Sequence, residues 1–169
     1  MSGSARAAPQ RPALPRGRRI QARLFRIVNV PMRAVLGLPV PTPLGGTLML
    51  AYIVGRTTGR LYRQPVSYVR DGGALLTPGG GRWKLNLADG RPVRIRVRGH
   101  DLMVTPELVS EVSEVRRLLA VIAHGNAPAA AFTGIKRGDD GQFELAGVER
   151  AVGYGFRVVR WQLPDGAVI

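Results

Sequence analysis

The sequence predicts an α+β domain built on a barrel-like antiparallel sheet, and three observations carry that expectation. Val93, Ile95 and Val97 alternate with Arg94, Arg96 and Arg98, the period of a strand buried on one face. Asp71-Gly72 follows the apolar run Val66 to Val69 and precedes Ala74 to Thr77, a hairpin signal because a type I′ turn needs positive φ at both central positions. Leu108, Val112, Val115, Leu119 and Ile122 recur at helical spacing, a buried stripe set between strand-like runs.

The 169 residues are enough for one domain with its own core. Cysteine is absent, which excludes disulfides and thiolate chemistry and is compatible with a reducing cytoplasm. The formal net charge of +14 is unevenly spread. Arg6, Arg11, Arg16, Arg18, Arg19, Arg23 and Arg26 precede any acid and supply half of it, the stretch Arg56 to Arg98 carries a surplus of eight, and the remaining residues nearly balance. Such a chain suits a nucleic acid, an anionic membrane or a polyanionic small molecule, and charge alone does not choose.

In chain order, residues 1–19 are rich in Ser, Gly, Ala, Pro and Arg and read as a disordered basic tail, with residues 20–169 forming one domain. Ile20, Leu24, Ile27 and Val28 share a helical face with arginines interleaved; Pro31 should kink this helix, and Gly37 with Pro39 should end it. A basic amphipathic helix of this kind either covers a sheet or lies on an anionic membrane surface. Leu48 to Val54 reads as a strand, and Val66 to Val69 and Ala74 to Thr77 join it in a three-stranded meander. Trp83 to Leu87 reads as one short helical turn closed by Asp89-Gly90, and Gly99 to Asp101 turns the Val93 strand into Leu102 to Val104. Thr105 and Pro106 sit where an N-cap and first helical residue belong, and Gly125 should stop the helix they open. Ala127 to Thr133 reads as a further helical piece, Lys136 to Gly141 as a charged loop and Phe156 to Leu163 as a last strand, with no element assigned between Gly141 and Phe156.

The loop after Val54 holds the densest candidate chemistry. Gly55, Arg56, Thr57, Thr58, Gly59, Arg60 and Arg63 bring glycines, hydroxyls and guanidinium groups together within a few positions, which suits phosphate or carboxylate oxygens. Pro78-Gly79-Gly80-Gly81 is a place where backbone can approach a flat ligand. His100 and His124 have no Cys and no acidic cluster beside them, so no metal site is expected, and no Ser-hydrolase elbow, zincin or Walker motif occurs. Enzymatic chemistry on such a chain would have to come from a bound cofactor.

Gly55 to Arg60 continuing through Pro65-Val66-Ser67-Tyr68-Val69-Arg70-Asp71-Gly72, then Arg82-Trp83 to Asn86-Leu87 and Val93 to Gly99, resembles the deazaflavin-dependent nitroreductase and quinone reductase family. The resemblance runs in order from about Leu24 to Leu163. It implies an antiparallel split β-barrel of the FMN-binding type, with an N-terminal helix and an inserted helix on it. It also implies coenzyme F420, a small-molecule electron acceptor and hydride transfer to a quinone, nitro compound or activated enone. By the same resemblance, Arg56, Thr57, Thr58, Gly59, Arg60 and Arg63 would hold the phosphate and oligoglutamate tail. Pro65, Val66 and Thr77 would border the ring, and Trp83 and Asn86 would close its edge. Independently of the resemblance, the lack of a paired carboxylate, activated thiol or His relay leaves any proton to come from solvent or from a hydroxyl such as Thr77 or Tyr68. The alternatives are FMN in place of the deazaflavin, a lipid ligand, or a nucleic-acid-binding role; against the last, the strands lack base-stacking aromatics. The expected location is cytoplasmic, with weak association with an anionic membrane surface and dimerisation as possibilities.

Overall fold

The computed structural model of the protein describes residues 32–38, 43–167 and 169. The basic tail, the helical face beginning at Ile20, Pro31 and Pro39 lie outside the described residues. Residues 32–36 are helical and turn at Gly37.

Seven strands form one antiparallel sheet: β1 (Leu48–Val54), β2 (Leu61–Ser67), β3 (Val69–Asp71), β4 (Ala74–Gly79), β5 (Val93–Val97), β6 (His100–Val109) and β7 (Arg157–Gln162). Their order is β2-β1-β5-β6-β7-β4-β3. Its two edge strands, β2 and β3, are separated in the chain by Tyr68 alone. A one-residue link spans at most about 7 Å, so the sheet must curl until its edges nearly meet. The result is a barrel split between β2 and β3, as the resemblance implied. β6 makes the curl possible, its first half pairing with β5 and its second half, Thr105 to Val109, with β7.

Three local expectations are corrected. Thr105 and Pro106 lie inside β6 and open no helix; past Val104 the strand has lost β5 as a neighbour, so a residue without an N–H is tolerated there. The β3–β4 turn is centred on Gly72-Gly73, with Asp71 paired to Ala74 and positive φ at Gly72 but not at Gly73, as in a type II′ turn. Two successive positive φ values occur instead at Arg98 (49°) and Gly99 (84°), between paired Val97 and His100. The proposed meander breaks at Tyr68, because β3 belongs to the opposite edge from β2.

Three helices pack on the β3–β4–β7 side: α1 (Val112–Gly125), α2 (Ala127–Ala131) and α3 (Leu145–Gly153). The Glu111 carboxylate caps α1 by accepting from the Ser113 and Glu114 amides. α1 ends at Gly125 as expected, and the Asn126 side chain caps α2. α3 was not assigned from sequence; its buried anchor is a single residue, Val148.

The continuous apolar runs follow from burial on both sheet faces. On β1, Met49, Ala51 and Ile53 point into the barrel, while Leu50 and Tyr52 meet Leu36 of the N-terminal helical segment. On β7, Val159 and Trp161 fill the barrel and Val158 meets the helices.

Candidate functional site

Three hollows adjoin one another, each sharing lining residues with the next. The first, about 820 Å³, is walled by Pro65, Val66 and Ser67 of β2, Thr77 and Pro78 of β4, Gly80, Gly81 and Trp83, and side chains of the helical layer from Ala129 to Phe156. No Asp, Glu, Lys, Arg or His lines it. The second, about 360 Å³, holds Arg33, Arg56, Arg82, Thr57, Thr58 and Asn86, and shares Trp83 with the first as a common wall. The third, about 600 Å³, shares Arg56 and Asn86 with the second and adds Arg91 and Arg94. A neutral chamber therefore opens beside a cationic trough.

The loop between β1 and β2 is shorter than the sequence suggested, because β2 starts at Leu61. It is closed by Gly55 N–H to Arg60 O and Gly59 N–H to Gly55 O, both 2.8 Å, with Gly59 at φ 65°. A Cβ on Gly55 would stand 2.7 Å from both Thr58 Oγ1 and Tyr62 Cε2, so the close turn needs glycine there. The Thr58 and Tyr62 hydroxyls are 3.2 Å apart. The Gly59 amide and the Thr58 hydroxyl, both expected to face a phosphate, are thus engaged within the loop. Arg63 lies on β2 with its guanidinium 6.0 Å from the Tyr52 ring centroid, and neither it nor Arg60 lines any of the three hollows.

Asn86 ties the site together. Its Oδ1 accepts from the Arg56 amide and its Nδ2 donates to Trp83 O, both at 3.1 Å. Its side chain fastens the loop to the short 3₁₀ turn Arg82–Leu87, so it positions Arg56 and Trp83. Trp83 stacks parallel on Trp161 with centroids 6.3 Å apart. Gly81 is required beneath it, since a Cβ would lie 2.7 Å from Trp83 Cδ1.

Thr77 and Tyr68, the two expected proton sources, part company. Thr77 lines the neutral chamber at 2% exposure and its Oγ1 accepts from Trp161 Nε1 at 2.9 Å. Tyr68 belongs to the barrel core, and its hydroxyl donates to Gly45 O at 2.6 Å. Burial raises its pKa above the ordinary value, outweighing the pull of Arg98 and Arg70. Tyr68 does not line the chamber, and the proton role offered for it is withdrawn.

Several site residues were not foreseen. Arg33 and Arg82 supply charge to the trough from segments distant in sequence. Phe132 and Tyr154 stand at the chamber with exposures of 77% and 89%; Phe132 falls in the helical piece read from Ala127 to Thr133, whereas no element was assigned around Tyr154 and nothing local singled it out. Lys84 is 5% exposed, and its Nζ donates to Gly81 O at 2.7 Å. Burial, and then the nearby Arg157, push its pKa below the ordinary lysine value.

The Arg face of β5 is largely engaged. Arg94 stacks 3.7 Å over the Tyr52 ring. Arg96 grips Asp101 through two bonds of 2.7 and 2.6 Å and also donates to Gly37 O, which fastens the N-terminal helical segment to the sheet. That double hydrogen bond raises the Arg96 pKa and lowers that of Asp101. His100 and His124 are exposed and line none of the three hollows. Among the described residues no group of three or more His, Cys, Asp or Glu could hold a metal, and no helix is long and apolar enough to cross a membrane.

No protein-family model matches the sequence, and no curated protein matches it. Among solved structures, the chain is similar to a putative 5-nitroimidazole antibiotic resistance protein from Bacteroides thetaiotaomicron, at 13% identity and TM-score 0.50, over 72% of this chain and 75% of that one. It also aligns with an F420-H2 dependent reductase at 15% identity and TM-score 0.46, over 68% of this chain and 93% of that one. A putative pyridoxamine 5′-phosphate oxidase from Listeria innocua aligns at 14% identity and TM-score 0.44, over 71% and 84%. The last two scores are too low to carry an argument, and the first speaks to architecture alone. The chain has the split β-barrel fold that the resemblance to deazaflavin-dependent reductases implied.

Proposed function

We propose that the protein is an oxidoreductase that binds coenzyme F420 and delivers its hydride to an uncharged acceptor such as a quinone, nitro compound or activated enone. The observation that carries this reading is the charge-free chamber joined to an arginine-lined trough across one indole, Trp83. A ligand with a flat neutral ring and a long anionic tail fits that division of charge, because a charge in the chamber would lose its hydration uncompensated while the trough offers guanidinium partners. The ring would lie against Pro65, Val66, Thr77 and Trp83. Arg56, Arg33 and Arg82, with the Thr57 hydroxyl, would hold phosphate, and Arg91, exposed and paired with Asp89 at 3.1 Å, lies further along the path for carboxylates.

When bound, the reduced deazaflavin supplies the hydride. The chain's own part is placement and exclusion of water. Trp83, supported by Trp161 and by Asn86, walls the chamber, and the backbone at Gly80 and Gly81 permits close approach. Thr77 is the buried hydroxyl among those lining the chamber, where Ser67, Thr133 and Tyr154 also stand. Phe132 and Tyr154 flank the entrance through which an aromatic acceptor would pass.

Commitment of Arg94 and Arg96 to Tyr52, Asp101 and Gly37 argues against the sheet face as a nucleic-acid track. The test is fluorescence titration with the deazaflavin coenzyme, FMN and a single-stranded oligonucleotide at moderate salt, followed by oxidation of the reduced coenzyme with a quinone panel. Tight coenzyme binding and quinone-dependent oxidation are expected. FMN binding as tight or tighter would sink the cofactor assignment, and oligonucleotide binding in preference to both would sink the enzyme.

A further inference from the structure

Thr77 and Lys84 are both buried polar side chains, and of the two only Thr77 lines the neutral chamber. Burying a hydroxyl costs free energy unless it is hydrogen-bonded, and here the partner is Trp161, whose indole is fully buried. The indole N–H can only donate, so in this pair Thr77 Oγ1 must accept. The hydroxyl hydrogen is then free for another acceptor. No acceptor for it occurs among the described hydrogen bonds, and the residue fronts open volume.

We infer that Trp161 is a positioning residue that occupies one acceptor site of Thr77 Oγ1 and leaves the hydroxyl hydrogen to be donated into the chamber, favouring ligands whose uncharged ring presents a carbonyl oxygen or ring nitrogen. The same indole stacks beneath Trp83, so one buried side chain sets both the flat wall and the direction of the polar contact. A ring without an acceptor atom would cover the Thr77 hydrogen without bonding it, and that penalty provides the discrimination. The inference rests on the proposed function only in taking the chamber to hold a ring.

The experiment uses the full chain without coenzyme. Naphthoquinone is the carbonyl probe and naphthalene the control of like shape, both followed by calorimetry. Wild type should favour naphthoquinone by about 3- to 10-fold, the range expected of one neutral hydrogen bond. Thr77→Val should abolish that preference, Thr77→Ser should retain it, and Trp161→Phe should reduce the ratio of the two affinities, whatever it does to the binding of either probe alone. Thr77→Val alone orphans the Trp161 N–H and so risks unfolding. The double variant Trp161→Phe/Thr77→Val removes both partners together and must also lack the preference. A purely structural role would shift thermal unfolding in these variants and leave the ratio of the two affinities unmoved. No preference in wild type, or a preference intact in Trp161→Phe or in the double variant, overturns the inference. If the ratio behaves as expected while the deazaflavin coenzyme fails to bind, the cofactor assignment falls and this inference stands.

Discussion

Glu114→Gln tests how the helical layer, which forms one side of the chamber, is held to the barrel. In α1, the Glu114 carboxylate takes bonds of 2.7 and 2.9 Å from Arg117 and a short one from Arg160 of β7. The Arg117 hydrogen bonds, then that of Arg160, hold its pKa at about 2, below the ordinary 4.5. A difference of that size corresponds to about 3 kcal/mol between the charged and neutral forms. Both partners still meet water, with side-chain exposures of 30% for Glu114 and 20% for Arg160, which reduces the contribution to about 1–2 kcal/mol. Removing the carboxylate strands neither arginine, since Arg160 keeps Glu107 at 3.0 Å and Arg117 is half exposed. The loss should therefore fall short of the 3–5 kcal/mol typical of a broken buried pair. Because the folded pKa is the lower one, the native state binds fewer protons than the unfolded chain between about pH 4.5 and 2. The stabilisation is complete above that window and is lost as pH falls through it. Urea unfolding of wild type and Glu114→Gln should show a gap of about 1–2 kcal/mol at pH 7, narrowing as pH falls toward 3. A gap that is absent at pH 7, or equally wide at pH 3, would refute the reasoning.

Arg56→Ala should weaken coenzyme binding by about 1.5–3 kcal/mol without unfolding the protein, as loss of a charge-assisted bond would; an unchanged dissociation constant returns Arg56 to plain surface. Gly81→Ala should displace Trp83, with a Cβ 2.7 Å from its Cδ1, so that coenzyme titration weakens while circular dichroism stays native; full affinity would show that the Trp83 wall is not needed. The folded-state pKa of Lys84 lies below its unfolded value, so its burial penalty is present in full at neutral pH and fades as pH rises toward 10.5. Denaturant unfolding should show wild type gaining stability relative to Lys84→Met between pH 7 and pH 10, and a pH-independent difference would contradict this. Steady-state oxidation of the reduced coenzyme should be untouched by His100→Ala and His124→Ala and harmed by Trp83→Ala; the reverse pattern would move the site.

Much of the barrel was legible in the chain. The alternation of Val93 to Val97 and the stripe from Val112 to Ile122 each register a local period against a core face, while the unbroken apolar run Leu48 to Val54 registers burial on both faces; Leu108, read as the start of the stripe, belongs to β6. The cationic loop and Trp83 could be singled out because their residues are neighbours in the chain. Thr105-Pro106 misled because an N-cap and first-turn signal is also compatible with a strand that has lost one neighbour, and only the sheet register shows that β5 begins at Val93, opposite Val104, and so does not reach Thr105. The single residue Tyr68 between two strands conceals the largest topological fact, the jump from one sheet edge to the other. The charge of the trough was countable from the sequence, but Arg33, Arg82 and Arg56 come from three separate segments, and their meeting depends on Asn86 reaching the Arg56 amide. Arg94 and Arg96 looked like a free cationic face and are bound to Tyr52 and Asp101, which composition cannot reveal. Fold class was written in local pattern, whereas the division into a neutral chamber and a cationic trough was decided by long-range contacts. The bond from Trp161 to Thr77, 84 positions away in the chain, is one of them.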